Sequence, residues 1–538
     1  MTEPTVNDER QVDQEIEELE KVYETDYQIG QDNIRWLGLD LHNSVFLVSA
    51  TLILLFVLFS LIAPEVANKN LTATRVWIGE NFAWLFLSAG NIFVLFCLSL
   101  IFLPYGKIRI GGVDAKPDFS LPSWFAMLFA AGMGIGLMFW SVAEPVGYFT
   151  DWGGTPLNIG SDDAKVALGA TMYHWGLHPW AIYGVVAVAL AFFAYNKGLP
   201  LTIRSTFYSL LGDRVWGPIG HVIDILAVLA TLFGLATSLG IGAQQAAGGM
   251  GFLFGISSGL ATQIVIISCV TTIALISVLR GIHGGIRVLS NINMVLAMVL
   301  LLFVIIAGGL VAFFANFGTT VAGYAQYMLP LSNPVGREDH AFYHGWTIFF
   351  WAWWISWSPF VGMFIARVSR GRTVREFLTA VLIVPVVVST IWMSAFGGSG
   401  IDQVKDQVGQ LAEGIGEYHL ALFQMLENLP FATITSALAV ILVLVFFITS
   451  SDSGSLVIDS ITSGGKTDAP IIQRMFWVII QGLIAAILLV IGGEAALEAI
   501  QAGAVSTGLP FTIVLLLICV SLFKGLAHEK RLQALLAR

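Results

Sequence analysis

Twelve apolar runs, each 20 or more residues long, leave this chain few folds to choose from. They lie near 44–64, 82–103, 122–148, 166–195, 218–248, 260–279, 289–316, 346–366, 377–396, 431–460, 471–492 and 499–522. About 20 helical residues cross a bilayer core. Lipid offers no partner to an open N–H or C=O, so such runs become helices. Of 538 residues, 56% are hydrophobic and 12% charged. That balance excludes a soluble domain of this size and predicts an all-α polytopic membrane protein.

Charge sets the expected topology. With the N-terminus in the cytoplasm, the cytoplasmic loops between spans carry 14 Lys and Arg and the external loops carry 5. The positive-inside rule therefore predicts both termini inside. Most of the net charge of -10 sits in the first 40 residues, which hold 12 acids and 3 bases. The stretch "NDERQVDQEIEELEKVYETD" reads as a solvated cytoplasmic tail, disordered or partly helical, and is no signal peptide. The last residues, "KGLAHEKRLQALLAR", have the period of a basic amphipathic helix. It could rest on the inner leaflet, on the acidic N-tail or on a neighbour. Segment 318–330 reads as a short interfacial helix after span seven. Cys97, Cys269 and Cys519 lie in separate apolar runs without disulfide or metal-ligand spacing, and read as packing residues.

Three features stand out from the apolar background. In "AAGMGIGLMFWSVAEP", Gly132, Gly134 and Gly136 alternate within span three, each costing about 1 kcal/mol relative to alanine in a helix. A span loosened there could turn freed N–H or C=O groups toward a ligand. Close helix packing through small residues explains the same spacing equally well. The second feature is the aromatic content of "HWGLHPWAIY" and "FFWAWWISWSPF". Trp353 and Trp357 share a helix face, Trp354 and Phe360 each lie three residues from Trp357, and Phe349 extends the stripe by a turn. Trp175 and Trp180 stand about 140° apart with Tyr183 between them. Interfacial belts use isolated aromatics near span ends. Clusters deeper in a span favour a box for a cation without strong donors, such as a quaternary ammonium. The third feature is "FFITSSDSGS" in span ten, whose hydroxyls suit either a hard cation or inter-helix hydrogen bonds. Glu144, His174, His178, Asp224 and Asp459 read first as satisfied structural groups.

Together "GMGIGLMFWSVAEP", "HWGLHPWAIY", "WAWWISWSPFVGMFIARVSRGRTVREF" and "TSSDSGS" resemble the betaine/choline/carnitine transporter (BCCT) family across nearly the whole chain. The resemblance implies a LeuT-type fold with 12 transmembrane helices. Two inverted repeats of five would span 122–316 and 346–522, preceded by two extra helices within 44–121. They would be flanked by an acidic N-tail at 1–43, an external loop with its interfacial helix at 317–345, and a short basic C-tail at 523–538. It also implies a homotrimer in the bacterial inner membrane, working by alternating access on a small zwitterion with Na+ as coupling ion and no cofactor.

By position, the resemblance assigns Trp353, Trp354 and Trp357 to a cage for the substrate ammonium. Trp175, Trp180 and Tyr183 would form a second box, with Phe349 and Phe360 as neighbours. The backbone at Gly132, Met133, Gly134 and Gly136 would face the substrate. One Na+ site would use the carbonyls of Ala130, Met133 and Phe446 with the hydroxyls of Thr449 and Ser450. The family's second Na+ site would use Thr231 and Phe360, but Leu235 stands where a second threonine is expected. Glycine at 136, where choline-taking members tend to carry Asp, is similar to betaine-type members. The expected solute is glycine betaine or dimethylsulfoniopropionate, taken up with Na+. A proton-coupled or exchange-type choline or carnitine transporter is the alternative within the family. A membrane-bound enzyme is disfavoured, since no metal-ligand spacing, nucleophile elbow or phosphate loop occurs. A closed aromatic box would likewise obstruct a channel, and nothing in the chain suggests nucleic acid as a partner.

Overall fold

The computed structural model describes residues 6–537 apart from 37, 133, 153 and 280–282. Nearly everything in it is helix. The exception is a small antiparallel hairpin, β1 (Asn33–Trp36) with β2 (Leu39–His42), turned by Gly38 at a φ of 80°. Before it lies α1 (Val6–Lys21), so the acidic tail is ordered as helix and hairpin. The transmembrane region follows as α2 (Asn43–Ile62), α3 (Pro64–Phe102), α4 (Leu121–Gly132), α5 (Ile135–Phe149), α6 (Ala164–Trp175), α7 (Leu177–Ala191), α8 (Pro218–Phe254) and α9 (Leu260–Leu279). After these come α10 (His283–Ala307), α11 (Leu310–Ser332), α12 (Ile348–Val368), α13 (Val374–Lys405), α14 (Ala432–Thr462), α15 (Ile471–Gly492) and α16 (Ala496–Leu536). Among the described residues ten helices are long and apolar enough to cross a membrane, or eleven with the bent pair α4 and α5 as one span.

Burial separates inner from outer helices. The apolar windows of 164–196 and 340–368 are 89% and 83% buried within the protein, against 39% for α2, 33% for α9 and 28% for 290–307. The outer helices keep their apolar faces for lipid. At the centre, α12 packs against α7, α8 and α16.

Two inner spans are interrupted. Between α4 and α5 the chain bends by 61°, and Gly134 is fully extended at φ -170° and ψ -177°. Span four breaks at Gly176, where the freed N–H of Leu177 donates to the Tyr324 hydroxyl at 2.8 Å. A Cβ on Gly176 would lie 2.5 Å from that oxygen, so the break and the inserted tyrosine require glycine there. Tyr324 belongs to α11, which is longer than the short helix expected at 318–330. Span seven correspondingly ends at Ala307 rather than 316, because the chain turns at Gly309 with a φ of 98°. Along α6, Gly169 and Gly323 bring two backbones into contact; a Cβ on Gly323 would fall 2.1 Å from the Lys165 carbonyl oxygen. Small residues supply such close approaches between membrane helices.

Of the three supports open to the C-terminal helix, the fold uses the acidic tail. The tail helix α1 packs on the end of α16, with an Arg531 Nη2–Glu15 Oε1 contact of 2.5 Å, and Lys197 pairs with Glu529 at 2.5 Å. Both ends of the chain therefore meet on one face of the bundle. Nearby, the fully buried Arg204 meets Asp224 at 3.1 Å, His42 at 3.1 Å and the Tyr27 hydroxyl at 2.9 Å, while its backbone N–H donates to Asp224 at 2.9 Å. Removing one partner of a buried ion pair costs about 3–5 kcal/mol, because the other charge is left uncompensated. Asp224→Ala is therefore expected to lower the melting temperature in detergent sharply, and Asp224→Asn, which keeps the backbone hydrogen bond, to lower it less.

Candidate functional site

The broken span, α7 and α12 converge on one interior cavity. Its walls are Ala131, Gly134, Ile135, Gly136 and Leu137 from span three, Trp175, Pro179, Trp180 and Tyr183 from span four, Ser238 from α8, Trp353, Trp354 and Trp357 from α12, and Ser389 from α13. The six expected cage and box residues thus share a single cavity rather than forming two boxes. Gly134 and Gly136 line it as expected. Phe349 and Phe360 are not on the wall. Phe349 stacks behind Trp353 at 5.5 Å with planes 15° apart, and Phe360 meets Trp357 edge-on at 5.4 Å. Gly132 is the last residue of α4, and Met133 lies outside the described residues.

The rings are held in contact with one another. Trp353 and Trp354 stack at 4.7 Å, Trp175 meets Trp354 edge-to-face at 4.9 Å, and Tyr183 stands 5.4 Å from Trp180 and 6.4 Å from Trp354. An indole has one N–H and no acceptor. In four of these rings that N–H points into the protein. Trp175 donates to Glu144 Oε2 at 2.7 Å, Trp353 to Ser238 Oγ at 3.2 Å, Trp354 to the His174 carbonyl at 2.9 Å and Trp357 to the Gly234 carbonyl at 2.8 Å. The four indoles therefore offer a ligand their π faces and carbon edges, and no donor. Such a surface attracts a cation through the ring quadrupole and does nothing for a ligand that needs an acceptor for its own N–H.

Gly136 makes the arrangement sterically possible. A Cβ there would lie 2.6 Å from Trp353 Cη2 and 3.1 Å from Trp175 Cη2. The glycine of the broken span is thus the floor against which two cage rings close.

The proposed cation ligands are less tightly grouped. On α14 the Thr449 hydroxyl donates to the carbonyls of Val445 at 3.0 Å and Phe446 at 3.2 Å, which leaves its lone pairs available, and Ser450 is half-buried. Ala130 is exposed near the end of α4, which packs on α13, whereas α5 packs on α14. Met133, which would join the two groups, is outside the described residues. At the second site the buried Thr231 hydroxyl donates to the Ala227 carbonyl at 2.7 Å. Leu235 is fully buried against Gly454, where an added Cβ would meet its methyl carbon at 2.3 Å. Hydrocarbon thus occupies the position of the missing threonine.

Sequence reasoning missed several wall residues and one support. Ser238 had a signal, since it follows Thr231 by seven residues and so shares its helix face. Ser389, in the apolar run "VVVST", had none. Glu144 is the satisfied structural group its sequence context suggests, and one of its three donors is the wall residue Trp175.

A multi-pass helical bundle with a small-ligand cavity lined by its inner helices fits a membrane transporter. Residues 44–531 match the family model described as BCCT, betaine/carnitine/choline family transporter, and the chain belongs to that family; it is a transporter and not an enzyme. It is 62% identical to Glycine betaine transporter 1 of Vibrio parahaemolyticus serotype O3:K6, over 94% of this chain and 98% of that protein. A glycine betaine/proline/choline/ectoine transporter of the same organism is 58% identical, over 94% of this chain and 91% of the relative. Glycine betaine transporter OpuD of Bacillus subtilis is 44% identical, over 91% and 95%.

Gly136→Ala should drive Trp353 from its rotamer, at an overpacking cost of about 1–3 kcal/mol. Binding measured by tryptophan fluorescence should then weaken about tenfold or more for every solute. An unchanged affinity would mean that the indoles yield freely around position 136.

Proposed function

We propose that this chain takes up glycine betaine, or a zwitterion of similar shape such as dimethylsulfoniopropionate, by Na+-coupled alternating access in a bacterial inner membrane. The observation that carries the reading is the set of four indoles whose N–H groups are all engaged by the protein. A trimethylammonium or sulfonium group has no N–H to satisfy and is bound through the ring faces alone. The printed names of relatives 62% and 44% identical, both glycine betaine transporters, support the same solute. A relative at 58% identity that also carries proline, choline and ectoine keeps a wider range in view.

In this reading the ammonium lies among Trp353, Trp354, Trp357 and Trp175, and the carboxylate toward the extended backbone at Gly134. Twelve spans follow if the helical run 471–536 counts as two. It breaks at Gly493–Ala495, and α15 then packs side by side with α16. Repeats at 122–316 and 346–522 would form a LeuT-type core around the cavity, with both termini cytoplasmic and the assembly a homotrimer. Two features favour a single Na+ site at Phe446, Thr449 and Ser450, completed by Ala130 and Met133. The Thr449 lone pairs are free, and Leu235 fills the place of a ligand at the Thr231 and Phe360 site.

The direct test is uptake of labelled betaine into proteoliposomes with external Na+ or with K+ in its place. Uptake that needs Na+ is expected, and equal uptake in K+ would favour the proton-coupled or exchange alternative. Trp357→Leu keeps apolar bulk but removes one π face, worth roughly 2 kcal/mol when desolvated. Betaine affinity is expected to fall more than tenfold while the protein still assembles. Thr449→Ala with Ser450→Ala should abolish the Na+ dependence of betaine binding, because ion and solute share one coupling free energy; an unaltered half-saturation for Na+ would remove these hydroxyls from the site.

A further inference from the structure

Behind the cage lies a buried polar cluster that the transport reading leaves without a task. The Glu144 and His174 side chains are 1% and 0% exposed, with Glu144 Oε1 2.6 Å from His174 Nδ1. The Tyr148 hydroxyl donates to the same oxygen at 3.0 Å, and Trp175 Nε1 donates to Oε2 at 2.7 Å. On its far side His174 Nε2 meets the Thr347 hydroxyl at 3.0 Å.

Donor counting assigns the protons. The indole can only donate, so Oε2 is an acceptor. If the Thr347 hydroxyl donates to Nε2, the one ring proton of neutral His174 sits on Nδ1 and donates to Oε1. Tyr148 donates there as well. Every hydroxyl proton then has an acceptor. A protonated Glu144 would instead push the ring proton to Nε2 and leave the Thr347 proton without one. Most buried polar groups are hydrogen-bonded, which favours the first arrangement. In it Glu144 is a carboxylate receiving three donors, and the cluster carries one negative charge.

We infer that Glu144 is the counter-charge of the binding site and acts on the ligand through the Trp175 ring. A carboxylate accepting an indole N–H pushes electron density onto the ring, and its own field reaches the cavity across that ring. Both effects favour a cation against Trp175 and disfavour an anion. The carboxylate also fixes the orientation of the ring, so Glu144 is a positioning residue with an electrostatic role. This inference rests on the quaternary-ammonium reading above.

The charge dependence separates it from a merely structural role. Across the width of an indole, at roughly 8 Å and an effective dielectric near 20, one charge changes the binding of a monovalent cation by about thirtyfold. A zwitterion feels less, because its carboxylate is repelled as its ammonium is attracted. Glu144→Gln is isosteric, and its amide can still accept from Trp175 while His174 switches tautomer. Binding of choline, glycine betaine and the carbon isostere 3,3-dimethylbutanoate is measured by tryptophan fluorescence on wild type and variant. We expect choline to lose roughly tenfold or more, betaine severalfold, and the isostere nothing, or to gain. Glu144→Asp, which keeps the charge, should retain the wild-type choline-to-betaine ratio.

Equal losses for choline and betaine in Glu144→Gln would overturn the inference, leaving Glu144 as a brace for Trp175. So would a shifted ratio in Glu144→Asp. If neither variant gives folded protein by size-exclusion chromatography while Tyr148→Phe does, Glu144 is a folding anchor and the inference also fails. Failure of the wild-type protein to bind either quaternary ammonium would instead refute the transport reading itself.

Discussion

The hydrogen bond that each cage indole makes to the protein behind it is the interaction on which the site depends. A tryptophan in a membrane span brings a large apolar ring and one N–H that must find an acceptor. Four times over, the protein supplies that acceptor: a carboxylate, the hydroxyl of the wall residue Ser238 and two backbone carbonyls. His174 joins two of these supports, since its carbonyl receives Trp354 and its ring is bonded to the carboxylate that receives Trp175. The same bonds that orient the rings remove their donors from the cavity. These four rings therefore present π faces and carbon edges to the cavity.

One of those acceptors, the His174 carbonyl, sits beside a break in its helix. In lipid every backbone group needs a partner, so an interruption survives only where protein can supply one. At Gly176 the supplier is the Tyr324 hydroxyl. Between α4 and α5 the extended Gly134 releases the helix, and the missing side chain at Gly136 lets Trp353 and Trp175 close over the gap. What Gly136 and Gly176 contribute is the absence of a Cβ, whereas the extended backbone at Gly134 is one that any residue adopts. Tight helix contact at Gly169 and Gly323 likewise braces the outside of span four.

The cavity wall and the proposed cation ligands come from neighbouring segments of this framework. Span three contributes wall residues to the cavity, and its second half packs on α14, which holds Thr449 and Ser450. A shift of α5 relative to α14 would alter both places at once, which is the physical basis on which coupling could operate. The contact of Leu235 with Gly454 replaces a polar position by hydrocarbon in the packing between α8 and α14.

Much of this was legible in the chain itself. The apolar runs are helical over most of their described length, because burial and backbone satisfaction in lipid depend on composition and length, which are local properties. Trp175, Trp180 and Tyr183 of span four, Trp353, Trp354 and Trp357 of span eight, and Gly134 and Gly136 of span three line one cavity, and i, i+4 spacing already puts Trp353 and Trp357 on one face. Other features required the tertiary structure. Nothing local distinguishes Trp353, on the wall, from Phe349 one turn away and stacked behind it. Ser389 reaches the cavity only because α13 passes beside it, and the C-terminal helix rests on the acidic tail only because both meet on one face. Glu144 could be seen as an acid in an apolar span, but its partners stand 4, 30 and 31 residues away. Periodicity along one helix determines which way a side chain points, whereas what it meets is decided by helices that sequence distance does not order.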